Sequence, residues 1–123
     1  MKPEDLKEAL RNFTGSEQFT RYSPLLFPKL IITEGVKFLA EEAGAYWLLD
    51  VVGSHLPSVK DRFAIVHLNR YGNRALFHIT DDDPANITYC QQDIEYTDFP
   101  LEEIKMYLSF DGTYWVLMLC TEY

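Results

Sequence analysis

Three groups of residues in this 123-residue chain have types and spacings that could do chemistry. The first is a pair of histidines. Gly72-Asn73 suits a two-residue hairpin turn, and a turn there sets His67 directly across from His78. Two imidazoles facing each other on one sheet surface, about 5 Å apart at Cβ, are spaced to share a transition-metal ion. A third ligand would have to come from His55 or from one of Asp81, Asp82 and Asp83, and none of them stands at a recurring ligand spacing. Two half-exposed sheet histidines without a ligand are the simpler expectation.

The second group centres on Asp50, a lone carboxylate in an apolar stretch beside Trp47 and near Tyr46. Burial there would raise its pKa, as in many catalytic acids. The competing expectation is a structural carboxylate held by backbone N–H groups, a tyrosine hydroxyl or an arginine such as Arg62. His55 is the other catalytic candidate, but Ser54-His55 and Ser58 do not make a triad. The third group, Asp81-Asp82-Asp83-Pro84, invites a calcium reading. It fails, because Asn86 and Gln92 stand where the loop needs glycine and glutamate. No nucleophile elbow, zinc-protease signature, P-loop or dinucleotide fingerprint occurs in the sequence.

These candidates need elements to position them. Pro3 to Asn12 reads as a short amphipathic helix, with Pro3 and two acids at its start and Leu6 and Leu10 on one stripe. Arg21 to Lys29, with Pro24 and Pro28, reads as ordered loop. Thr33 caps a helix whose Val36, Leu39, Ala40 and Ala43 repeat at helical spacing, and Gly44 ends or kinks it. Ala45 to His55 continues as a helix apolar nearly all round, which predicts burial on most sides.

From Arg62 the period changes to two. The Gly72-Asn73 turn pairs Val66 with Ile79 and Leu68 with Phe77 on one face, and His67 with His78 on the other. Asp111-Gly112 predicts a second hairpin that pairs Leu108 with Trp115, Met106 with Leu117 and Ile104 with Leu119. Ile87 to Tyr96 reads as a further strand, bulged near Gln91-Gln92. The expected fold is α+β in one domain spanning residues 1–123. N-terminal helices cover one face of an antiparallel meander of about five strands. Tyr107, Tyr114, Val116 and Leu76 leave the other face amphipathic, which suits cover by a loop or a second subunit.

Composition limits the function classes. At 47% hydrophobic residues the chain is too apolar for a disordered tail. Ala43 to Val59 is interrupted by Asp50 and Pro57, and the N-terminal residues have no apolar core of a signal peptide, so neither a membrane partner nor secretion is expected. Cys90 and Cys120 lack metal or redox spacing and read as buried small hydrophobes in a cytoplasmic protein. Residues 1–78 carry a net +1 and residues 79–123 a net −9, with no Lys or Arg between Ala75 and Ile104. That stretch repels phosphate backbones, so no direct nucleic-acid partner is expected. A solvated acidic face explains it; an acidic decoy for a basic nucleic-acid-binding partner is the sharper reading.

Phe13-Thr-Gly-Ser, the run from Thr33 to Asp50, Ile94-Glu-Tyr-Thr-Asp-Phe-Pro and the terminal Thr121-Glu-Tyr together resemble a family of small uncharacterised bacterial proteins. Ala45-Tyr-Trp-Leu-Leu-Asp is the most distinctive part. The resemblance implies a bacterial cytoplasmic protein of one domain and carries no activity, cofactor or site residue with it. The leading expectation is therefore a non-enzymatic accessory or interaction module without cofactor, homodimeric through the aromatic-rich sheet face. A metal-dependent enzyme using His67 and His78 is the alternative.

Overall fold

In a computed structural model, which describes residues 1–15, 17–82 and 84–123, the period-two region becomes sheet. Gly72 takes φ +66°, which glycine adopts without strain, and reverses the chain between β3 (Phe63–Tyr71) and β4 (Arg74–Thr80), numbering strands in chain order. The pairing follows the turn residues: Val66 faces Ile79, His67 faces His78 and Leu68 faces Phe77.

The second hairpin is displaced. In β6 (Glu103–Phe110) and β7 (Trp115–Leu119), Leu108 pairs with Leu117 and Met106 with Leu119, two residues on from the expected partners. Asp111 is the reason. Its Oδ1 accepts the backbone N–H groups of Thr113 and Tyr114 at 2.8 and 2.7 Å, so it opens the turn instead of occupying its centre. A shift of two keeps every side chain on its expected face. The bulge of β5 (Thr88–Ile94) is displaced as well: the register against β4 slips at Tyr89, between Cys90 and Thr88, rather than at Gln91-Gln92.

The expectation of about five antiparallel strands is corrected to seven in a mixed sheet, ordered β1-β2-β7-β6-β3-β4-β5. The segment read as loop is a hairpin of β1 (Phe19–Ser23) and β2 (Phe27–Thr33). Its prolines do not interrupt pairing. Pro24 lies in the turn, and Pro28 precedes Leu30, where β2 begins its parallel pairing with β7.

Helices α1 (Pro3–Leu10), α2 (Glu34–Glu42) and α3 (Tyr46–His55) supply Leu6, Val36, Leu39, Leu48, Leu49 and Val52 to one core, against Leu30, Val66, Leu68, Phe77, Met106 and Leu117 of the sheet. The α3 expectation needs correcting. Tyr46, Asp50 and Ser54 form an exposed stripe at i, i+4 and i+8, so the helix buries one side only.

Thr33 caps α2, accepting the Val36 N–H at 3.3 Å, and a distant residue completes the cap. The buried Glu122 carboxylate, in the 3₁₀ turn Cys120–Glu122, accepts the Thr33 hydroxyl at 2.6 Å and the backbone N–H groups of Gly35 and Leu119 at 3.1 and 3.0 Å. A carboxylate there also meets the positive end of the α2 dipole. Gly35 makes room for it, since a Cβ at that position would lie 2.5 Å from Glu122 Oε1.

Removing the carboxylate strands three donors, two of them buried with α2. Glu122→Ala should destabilise the protein by about 3 kcal/mol, and Gly35→Ala by about 1–3 kcal/mol through overpacking. Urea denaturation checks both as a lowered midpoint at unchanged slope.

Candidate functional site

The sheet has two unequal faces. The even-numbered positions of β3 point into the core, while Phe63, Ile65 and His67 point to the side that carries no helix. On that open face the two histidines meet. Their rings stack 4.4 Å apart at 5° between planes. Thr80 donates its hydroxyl hydrogen to the Asp82 carbonyl at 3.0 Å, so at 2.9 Å it accepts from His67, which places a hydrogen on His67 Nε2. Among the described residues Nδ1 of His78 is buried without a hydrogen-bond partner, and burial lowers that histidine's pKa from its usual 6.5.

Lone pairs of imidazole nitrogens lie in the ring plane, so two parallel stacked rings do not aim at one ion. His55 cannot join them. It sits on the helix-covered side, stacked 5.8 Å from Phe77 with Nε2 2.8 Å from Gln92 Oε1. Asp81 is committed to its own turn: its Oδ1 accepts the N–H groups of Ile87 and Asn86 at 2.9 and 3.0 Å, which lowers its pKa. Asp83 lies outside the described residues. Among the described residues, no group of three or more His, Cys, Asp or Glu is placed to hold a metal. In the structure the arrangement of the two rings is a parallel stack.

Asp50 is exposed rather than buried, because it lies on the wet stripe of α3. It accepts the Tyr22 hydroxyl at 2.7 Å, and Tyr22 is pushed up to about 12 by desolvation first and by this carboxylate second. Tyr22 was missed in the sequence because its strand was read as loop, and neither residue type nor burial alternates along Phe19–Ser23 to signal it. The cysteines are half-buried rather than buried, and burial raises both thiols. They are thus poor nucleophiles at neutral pH. A broad cleft of about 1040 Å³ beside α1 mixes Lys7, Arg11, Arg70 and Lys105 with Glu4, Glu102 and Glu103, and Cys120 lies at its margin. Arg70 is spent on the carbonyls of Leu101 and Gly72, at 3.2 and 2.7 Å.

A model of a family of unknown function, DUF6876, matches residues 4–123. The chain belongs to that family. No curated protein and no solved structure matches it. What this DUF6876 chain does must therefore be read from its own faces. Two of its titratable groups can be followed directly.

The first is His78. Its folded pKa lies below the unfolded value of 6.5, so the unfolded chain takes up a proton that the folded chain refuses. From this group stability should be level between about pH 7 and 8 and fall as pH drops towards about 5, before the carboxylates titrate. The melting temperature of His78→Gln should lose much of that dependence. The second is Tyr22. Asp50→Ala should bring one tyrosine from about 12 towards 10.0 in an alkaline titration of tyrosinate absorbance, and Tyr22→Phe should delete that step.

Proposed function

We propose that this DUF6876 protein is a non-enzymatic interaction module of the bacterial cytoplasm that works as a homodimer through the open face of its sheet. One observation carries the reading: all three helices pack on one side of a seven-stranded sheet, and the other side is apolar at its centre. Ile31, Val116, Met118, Tyr107, Ile65, Phe63 and Leu76 lie there, on the five neighbouring strands β2, β7, β6, β3 and β4. The Phe63, Tyr107 and Tyr123 rings contact one another at 5.2 to 5.5 Å, and Tyr123 itself remains 77% exposed. Aromatic and aliphatic side chains at the centre with polar groups around them are what interfaces favour. A two-fold axis through such a face makes a closed, self-complementary pair.

The thiols support that compartment. Cys90 lies on β5 and Cys120 directly after β7, four strand spacings apart, or about 19 Å. They cannot pair within the chain, which suits a reducing environment. The decoy alternative draws less support. The Asp81 turn and the Glu95–Asp98 segment flank opposite ends of the seven-residue β5, and Asp81 spends its oxygen on its own turn. They therefore do not form one evenly spaced row.

Light scattering at tens of micromolar should return twice the 14.4 kDa chain mass. Met118→Glu, in the middle of the open face, should return the single-chain mass with an unchanged circular-dichroism spectrum. A monomeric wild type would remove the homodimer.

A further inference from the structure

The two histidines belong to a row that crosses four strands of the open face. Lys105 of β6, His67 of β3, His78 of β4 and Gln91 of β5 stand side by side in register. The next row in one direction is Tyr107, Ile65 and Thr80, and in the other Glu103, Asn69, Leu76 and Asp93. The pair thus sits between the rows of Ile65 and Leu76, two apolar residues of the surface assigned above to a second copy. Rows on one face repeat about every 7 Å along the strands. An interface of about 800 Å² per copy centred on Ile65 reaches roughly 14 Å each way, so it covers both imidazoles.

What the pair contributes there depends on its protons. Parallel rings 4.4 Å apart pack well while at least one is neutral, but two imidazolium rings face to face repel. His67 is 8% exposed and gives its Nε2 hydrogen to Thr80. His78 is only half-buried in the single chain, although its Nδ1 is covered. A second copy laid over that ring removes the water that still reaches it, which costs a charged imidazole far more than a neutral one. Among the described residues, the charged and titratable groups around the pair come from several elements. Lys105 stands directly beside His67, with Tyr107 and Glu103 on its own strand to either side. Asp93 of β5 is diagonal from His78, and Asp82 lies behind Thr80, which donates to its carbonyl. Asp81 is held by its own turn. Burial outweighs these carboxylates at His78, whose pKa lies below 6.5.

We propose that the His67–His78 stack is an acid-sensitive release for the open-face dimer: two copies associate while His78 is neutral, and a proton taken up at each His78 drives them apart. The proposal rests on the homodimer reading and adds its regulation. Its sign sets it apart from general electrostatics. Two chains of net charge −8 repel each other less as acid neutralises them, so overall charge alone would tighten the dimer at low pH. Protonation inside the covered face does the reverse.

The test is the dimer Kd of the intact chain from analytical ultracentrifugation at about pH 7.5 and about pH 5.5, at one ionic strength, with circular dichroism of the same samples. Wild type should associate about tenfold more weakly at the lower pH with an unchanged spectrum. For His78→Gln the ratio of the two Kd values should fall to about one, whatever its affinity at the higher pH. The wild type also answers without a variant. In an NMR titration the His78 ring proton should report a lower pKa in a concentrated, dimeric sample than in a dilute, monomeric one. An equal or tighter wild-type Kd at the lower pH, the wild-type ratio in His78→Gln, or a His78 titration independent of concentration would overturn the release and leave the dimer standing. Dissociation accompanied by loss of the circular-dichroism spectrum would overturn it too, as unfolding. A wild type that is monomeric at the higher pH would remove the homodimer reading and the release with it.

Discussion

A carboxylate near the end of the chain closes this fold. β2 and β7 lie side by side and parallel, and they end together at Thr33 and Leu119. Antiparallel neighbours can be joined by a short turn, but a parallel pair has no local connection to hold it. Glu122 supplies one. It ties Leu119, the last residue of β7, to the residue that ends β2 and to the first turn of α2, in one buried set of hydrogen bonds. Without it the N-terminal hairpin would be joined to the meander by three ladder positions and the core alone. The β1–β2 hairpin meets the rest of the sheet through this closure.

What could be read in the sequence was what depends on neighbours in sequence. The α2 cap, the α1 stripe and the β3–β4 register follow from Thr33, from Leu6 and Leu10, and from Gly72. The parallel pairing of β2 with β7 joins residues more than eighty positions apart, and no local period signals it. The prolines at 24 and 28 hid the first hairpin, although both occupy places where a strand tolerates them. In the second hairpin, a side-chain bond from Asp111 decided between two registers with the same pattern of faces.

The candidate residues show the same division. Pairing arithmetic brought His67 and His78 together, but their ring orientation depends on Thr80 and Asp82. A Cβ spacing suited to a metal thus became a stack. Asp50 was legible as a lone acid in an apolar helix, and its environment was not: the period-four stripe from Tyr46 to Ser54 put it outside, next to a tyrosine from a strand hidden by its prolines. Glu122 carried no signal beyond its place in the terminal Thr-Glu-Tyr. Two of its three partners are 87 and 89 residues away.

The slipped register at Tyr89 has a further effect on how large this sheet can become. β5 is an outer strand, and its unpaired backbone groups could template another chain. The bulge twists that edge, and Asp93 and the carboxylates flanking the strand place negative charge along it, so a second copy approaching edge-on meets both a mismatch and repulsion. At the opposite border, β1 breaks register between Arg21 and Ser23, just before a proline. Both margins of the sheet thus carry an irregularity that disfavours edge-to-edge pairing, and on the β5 side acidic side chains add repulsion.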